Sequence, residues 1–210
     1  MMISRASEKA WVLPAHFVAD EDMRSRTLIG GCLRFGMRRM IAVTDRPRIG
    51  ISACLLGEHV RYDGGDKRNA WLVDDLGPRV EWVPVCPEVE AGFGTPREPM
   101  KLVRGGETGT VIVTTRPRHD LTATLRRFSE RRVDELAAAG LNGYVLKAGS
   151  PSCAIESTAD VAGPGLFSDA LMRRMPELPV ADEQQLADAD VRRRFVDRVF
   201  AHHAKGKVAR

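Results

Sequence analysis

From residue 48 onward the chain alternates short apolar runs with longer amphipathic stretches. The runs are four to six residues long and rich in Val and Ile, which is typical of buried parallel strands. They predict strands at residues 49–53, 80–85, 110–114, 144–148 and 178–181. Residues 110–114 fit either a third strand or one arm of a hairpin, because Gly105 and Gly106 precede them.

The amphipathic stretches predict four helices between these strands. The first covers residues 67–76 and ends at Gly77-Pro78, a usual stop signal. The second begins after Asp120, which can cap it, and ends near Gly140. Its apolar stripe consists of Leu121, Leu125, Phe128, Val133 and Leu136. The third spans residues 165–175, and Val191, Phe195 and Val199 mark one face of the last.

This alternation predicts an α/β fold with a largely parallel sheet flanked by helices, similar to a Rossmann fold. Residues 47–204 are expected to form a single domain, and residues 205–210 a frayed tail. Residues 1–46 lack a clear period and are expected to be a poorly ordered extension or the product of a misassigned start. In such sheets, ligands bind beyond the carboxyl ends of the strands.

Composition and charge narrow the classes of function. The sequence has no membrane-length apolar run and no secretion signal, so a cytoplasmic protein is expected. The net charge of +4 is spread along the chain, and the arginine clusters fall on predicted helices without interleaved aromatic residues. Nucleic-acid binding is therefore disfavoured.

Three of the four cysteines follow predicted strands. Cys54, Cys86 and Cys153 stand in the contexts SACLLG, VCPE and GSPSC, whereas Cys32 lies in the N-terminal segment and is left out of the site. Thiols at the ends of parallel strands can meet at one point, and thiolates are strong ligands of zinc and of iron–sulfur clusters. Zinc sites usually have paired cysteines, which this chain lacks. The alternative is three small buried side chains.

Polar residues near these cysteines favour a reaction centre over a core. Glu88 follows Cys86 by two residues, and Ser150 and Ser152 precede Cys153. Ser152 could also cap a helix. Asp63 and Lys67 stand in the glycine-containing loop after the first strand, where they could pair with each other or contact a substrate.

Several ordered motifs resemble a known bacterial family. They are ISACLLG at 51–57, VRYDGG at 60–65, PVCPE at 84–88, GFGTPR at 92–97 and LKAGSPSC at 146–153. Together they are similar to the domain-of-unknown-function family that includes thiouracil desulfidase. The resemblance runs from about residue 48 to about residue 183 and does not include residues 1–46.

The resemblance implies an enzyme with a [4Fe-4S] cluster held by Cys54, Cys86 and Cys153. It implies non-redox, hydrolytic cleavage of a C=S bond in a small thiolated nucleobase, with Glu88 and either Ser150 or Ser152 as acid–base groups. Asp63, Lys67 and Lys147 are expected to contact the substrate, and iron–sulfur assembly machinery is expected to supply the cluster. The alternatives are a non-catalytic zinc- or thiol-binding module and an RNA-associated factor that acts on thiolated bases.

Overall fold

The computed structural model describes residues 46–105, 109–156 and 163–208. Cys32 and the rest of the N-terminal segment through residue 45 lie outside this part of the chain. The helices are α1 (Thr122–Ala138), α2 (Leu166–Arg174) and α3 (Ala189–Val208). Shorter helical segments are Ala53–Leu56, Trp71–Leu76, Gly77–Arg79, Val89–Phe93 and Gln185–Ala187.

Four of the strands that the structure describes run parallel and form the central sheet. In chain order the strands are β1 (Arg48–Ser52), β2 (Glu81–Val85), β3 (Met100–Gly105), β4 (Gly109–Thr114), β5 (Gly143–Leu146) and β6 (Val180–Asp182). The sheet has the order β2-β1-β5-β6, and β3 pairs with β4 in a separate antiparallel hairpin. The predicted α/β class is confirmed, and residues 109–114 are an arm of a hairpin.

The sheet is covered on both faces. Ile49, Ile51 and Val145 pack on one face against the segment Trp71–Leu76 and α3. Tyr144 and Leu146 pack on the other face against α1 and α2. Side chains alternate along each strand, so cover on both faces buries nearly every residue of β1 and β5, and this explains why these two strands are mainly apolar.

Gly50 lets the Tyr144 ring lie flat against β1. A Cβ atom at Gly50 would stand 2.2 Å from Cδ2 of Tyr144, so a larger residue is excluded by the ring. Pro84 is accommodated because β2 lies at the edge of the sheet, where an absent N–H leaves no ladder bond unmade. The strand continues past Pro84 to Val85.

Several predicted boundaries are wrong. The helix expected at 67–76 begins only at Trp71, and the residues before it form a loop in which the N–H groups of Lys67 and Asn69 bond to the carbonyls of Cys54 and Leu55. The strand expected at 144–148 ends at Leu146. The last helix continues past Lys205 to Val208. None of the described helices combines the length and apolar character needed to cross a bilayer.

Candidate functional site

One cavity of about 410 Å³ contains all three cysteines in its wall. Cys54 follows β1 by two residues, and Cys86 directly follows β2. Cys153 lies seven residues beyond the end of β5, in a turn that leads toward α2. Cys54 and Cys153 are buried and Cys86 is half-buried. Residues about a hundred positions apart in sequence therefore face the same space.

Backbone hydrogen bonds fix the position of Cys54. The short segment Ala53–Leu56 ends at Gly57, whose φ of 95° is strained for any residue with a side chain. The carbonyl of Cys54 accepts from the N–H of Gly57 at 3.2 Å and from that of Lys67 at 2.9 Å. These contacts hold the loop that contains Lys67 close to the thiol.

Two serines fix the position of Cys153. The Ser150 hydroxyl oxygen accepts from the backbone N–H of Ser152 at 3.3 Å and of Cys153 at 3.2 Å. The Ser52 hydroxyl oxygen accepts from the N–H of Lys147 at 3.0 Å, and the Ser52 side chain also hydrogen-bonds to Cys153. Ser52 therefore links the end of β1, the end of β5 and the third thiol.

Burial makes all three thiols weak acids in the absence of a metal. It raises the pKa of Cys54 to about 11 and that of Cys86 to about 12, and it raises the pKa of Cys153 well above its usual range. The Glu88 carboxylate adds to each rise, whereas the Lys147 ammonium opposes the rise at Cys54. Metal binding at this site must therefore release thiol protons.

The donor chemistry of the cavity fits an iron–sulfur cluster. Such clusters are held by cysteine thiolates, and three thiols line this wall. Single metal ions need all their ligand atoms about 2–2.3 Å from one point. No group of three or more His, Cys, Asp or Glu side chains within residues 46–105, 109–156 and 163–208 has the grouping that a metal ion requires. In a cubane each thiolate binds a different iron, so the ligands need not meet at one point.

Glu88 is a buried carboxylate surrounded by the predicted acid–base residues. It is 6% exposed, and its Oε1 accepts from the Ser152 hydroxyl at 2.8 Å and lies 3.4 Å from that of Ser150. Its Oε2 lies 3.5 Å from the Cys86 thiol sulfur and 3.9 Å from a guanidinium nitrogen of Arg97. The structure thus brings Glu88, Ser150, Ser152 and Cys86 together.

The two serines differ in their surroundings. Ser150 lines the cavity, whereas Ser152 is fully buried behind it and its hydroxyl holds Glu88. Ser152 does not cap α2 through its side chain. Its carbonyl instead accepts from the N–H groups of Phe167 and Ser168, at 3.0 and 3.2 Å.

Cationic side chains dominate the charge of the cavity wall. Arg61, Lys67, Arg97 and Lys147 line it, and Glu88 is the carboxylate among the lining residues. Lys147 forms an ion pair with Glu183 and donates to the Ala148 carbonyl at 2.7 Å. Arg61 and Arg97 are likewise paired, with Asp63 and Glu88, so carboxylates offset much of this positive charge.

The predicted substrate contacts are placed unequally. Lys67 and Lys147 line the cavity, but Asp63 does not. Asp63 pairs with Arg61 at 3.1 Å and accepts from the N–H of Gly65 at 3.0 Å. Of the two alternatives left open for Asp63, the structure therefore does not support pairing with Lys67. The hydrogen bond to Arg61 holds the pKa of Asp63 below its usual value.

Sequence reasoning did not identify three residues of the site. They are Ser52, Tyr62, which lines the cavity, and Glu183, which forms an ion pair with Lys147. Ser52 lies two residues before Cys54, but its contacts with Lys147 and Cys153 depend on the pairing of β1 with β5. Arg97, the last residue of the GFGTPR motif, lies in the cavity wall.

Comparison with known proteins identifies the family of the chain. The family described as 2-thiouracil desulfurase matches residues 49–183. The uncharacterized protein YbbK of Bacillus subtilis (strain 168) is 32% identical over 110 residues, which cover 49% of this chain and 70% of YbbK. The solved structure of the [4Fe-4S]-dependent thiouracil desulfidase TudS is 38% identical, with a TM-score of 0.54, and the match covers 68% of this chain and 94% of that one.

The matched range contains all three cavity cysteines, Glu88 and both serines. It also covers more than half of the 210 residues and agrees with the resemblance that the sequence motifs indicated. The chain belongs to the 2-thiouracil desulfurase family.

Proposed function

We propose that this protein removes sulfur from small thiolated nucleobases by hydrolysis, using a [4Fe-4S] cluster held by Cys54, Cys86 and Cys153. The observation that carries the proposal is the convergence of three thiols and a buried carboxylate–serine group on one cavity. TudS, whose fold is similar, is a [4Fe-4S]-dependent thiouracil desulfidase. Non-catalytic thiol binding would not require the buried Glu88 beside Cys86.

The reaction balances without electron transfer. Water supplies the oxygen that replaces sulfur at the ring carbon, the C=S bond breaks, and sulfur leaves as hydrosulfide with release of a proton. When bound, the cluster supplies an iron with a free position that acts as a Lewis acid toward sulfur, a soft ligand. The protein must then bind the heterocycle, position water and move protons.

Proton transfer is assigned to Glu88 and Ser150. Glu88 lies beside Cys86 and within reach of both serine hydroxyls, so it can take a proton from water and return one to the ring. Ser150 faces the cavity and can contact the substrate directly. Ser152 is a positioning residue, because its fully buried hydroxyl holds Glu88 without lining the cavity.

The test is sulfide release from 2-thiouracil by anaerobically reconstituted protein. We expect activity in the wild type and a loss of about a hundredfold or more in Glu88→Gln, with its iron content unchanged. We expect a similar loss in Ser150→Ala when activity is expressed per bound iron, because the Ser150 hydroxyl also accepts from the N–H of Cys153 and its removal should lower the iron content. Ser152→Ala should lose less, because Ser150 still contacts the same carboxylate oxygen.

Three outcomes would count against the proposal. Wild-type protein that carries its cluster yet releases no sulfide from 2-thiouracil or 4-thiouracil would refute the activity. Stoichiometric zinc without acid-labile sulfide would support a zinc module instead. Full activity in Glu88→Gln would refute the acid–base assignment.

A further inference from the structure

Tyr62 stands apart from the other large apolar side chains. Tyr62 is 43% exposed. Within the part of the chain that the structure describes, it is the one large hydrophobic residue that is exposed to solvent. It also lines the cavity that contains the three cysteines. A single exposed aromatic on a surface needs no explanation, but an aromatic ring in the wall of a polar cavity can contact a ligand.

The backbone that bears Tyr62 is held unusually firmly. Three consecutive carbonyls, from Val60 to Tyr62, accept hydrogen bonds from the facing segment at 95–97. The Arg97 guanidinium donates to Val60 at 2.9 Å, the Thr95 hydroxyl to Arg61 at 2.7 Å, and the Arg97 N–H to Tyr62 at 2.9 Å. The loop is therefore fixed before any ligand arrives, which lowers the entropic cost of binding against it.

The ring is also oriented by its neighbour. The Arg61 guanidinium lies 5.5 Å from the centre of the Tyr62 ring, and Asp63 holds that guanidinium through two hydrogen bonds of 3.1 and 3.2 Å. Asp63 can therefore support the site without lining the cavity. Its carboxylate holds Arg61, and Arg61 fixes the ring.

We propose that Tyr62 is the aromatic surface on which a planar thiolated heterocycle stacks, and that it selects planar rings over saturated ones. The proposal rests on the proposed function. Tyr62 lines the same cavity as the three thiols and is partly exposed, so a heterocycle stacked on its ring would lie within the space that they border. Base–aromatic stacking depends on a flat π-face on both partners.

The test uses two probes with the same hydrogen-bonding groups and different ring shapes. Uracil is planar, whereas 5,6-dihydrouracil has a puckered, saturated ring. Calorimetry on the reconstituted holoenzyme should show uracil bound roughly tenfold more tightly than dihydrouracil, a typical contribution of one stacking contact. In Tyr62→Leu the preference should fall to about twofold or less, and in Tyr62→Phe it should remain.

A kinetic measurement separates stacking from a structural role. Tyr62→Leu should raise KM for 2-thiouracil roughly tenfold and change kcat and iron content little. His59→Ala is the matched control in the same stretch of chain, because the His59 side chain is 74% exposed and does not line the cavity. It should behave as the wild type in both assays.

The outcomes distinguish this proposal from the proposed function. Equal binding of uracil and dihydrouracil by the wild type, or an unchanged preference in Tyr62→Leu, would overturn the stacking role. A loss of iron in Tyr62→Leu that equals the loss of binding would also overturn it, because the residue would then be structural. A wild type that prefers uracil but releases no sulfide would refute the desulfidase activity alone.

Discussion

At the scale of single residues, the buried hydroxyl of Ser52 connects two strands and a thiol. Its oxygen accepts from the N–H of Lys147, and its side chain also bonds to Cys153, while the residue is only 3% exposed. A buried group that loses its partner costs more than the hydrogen bond itself contributes. Ser52 is therefore expected to support both stability and retention of the cluster.

We predict that Ser52→Ala lowers the free energy of unfolding by about 1–3 kcal/mol, because the N–H of Lys147 loses its acceptor. Urea unfolding measures this change, and the rate of iron loss under air should rise with it. Ser129→Ala is the matched control. Its hydroxyl donates to the Leu125 carbonyl within α1, so its removal leaves no backbone donor unpaired. Equal effects of the two substitutions would contradict this account.

The raised thiol pKa values predict how the cluster-free protein responds to alkali. Cys54 titrates near 9 in the unfolded chain and at about 11 when folded, so between these values the unfolded chain has lost a proton that the folded chain keeps. The contribution of Cys54 to the free energy of unfolding is therefore fully present below about pH 9 and is lost as pH rises toward 11. At pH 10 the loss from Cys54 is about 1 kcal/mol. Urea midpoints at pH 7.5 and pH 10 measure this. Cys54→Ser should lose less stability over that range, and an equal loss would contradict the assignment.

The sequence predicts most residues of the candidate site but not the residues that hold them in position. The cysteines, Glu88 and the two serines are visible as residue types beside strand ends. The contacts of Ser52, Tyr62 and Glu183 arise only when separate loops meet, and no local pattern marks them. Asp63 was assigned to the substrate because it lies in the correct loop, yet its carboxylate is turned to Arg61.

At the scale of elements, the N-terminus of α2 holds the turn that bears Cys153. The N–H groups of Phe167 and Ser168 donate to the Ser152 carbonyl, and the N–H of Gly165 donates to that of Ala154 at 2.9 Å. Gly165 permits this close approach. A Cβ atom there would lie 2.4 Å from the carbonyl carbon and oxygen of Ser152, which are backbone atoms and cannot rotate away.

We predict that Gly165→Ala displaces the turn from α2 and lowers the free energy of unfolding by about 1–3 kcal/mol through overpacking. The displacement should also reduce the iron retained after reconstitution, because Cys153 and Ser152 move together. Gly206→Ala in α3 is the control, since a Cβ atom there has no neighbour within 4 Å. It should leave stability unchanged or slightly raised. Wild-type stability and iron content in Gly165→Ala would contradict the role given to α2.

Element boundaries were less predictable than element types. The central strands β1 and β5 were recognised because burial on both faces makes them mainly apolar. The start of the helix at Trp71 was missed because the preceding residues are held as a loop against the segment that contains Cys54, a tertiary contact that no local pattern marks.

At the scale of the whole molecule, the parallel sheet explains why distant residues share one site. All four strands of the sheet run in the same direction, so their carboxyl ends lie along one edge. The alternation of strands and helices predicts this much. The strand order β2-β1-β5-β6 cannot be predicted from any local sequence pattern, because it depends on the complete fold. This order puts β1 between the strands that precede Cys86 and Cys153.

The most direct test of the central claim is to measure the iron and acid-labile sulfide content of the 210-residue protein after anaerobic reconstitution. The account predicts about four iron and four sulfide per chain in the wild type, the composition of one [4Fe-4S] cluster. It predicts a marked loss of both in Cys86→Ser, where one thiolate ligand is removed. Wild-type protein that takes up no iron and no sulfide, or a Cys86→Ser variant that retains both in full, would contradict it.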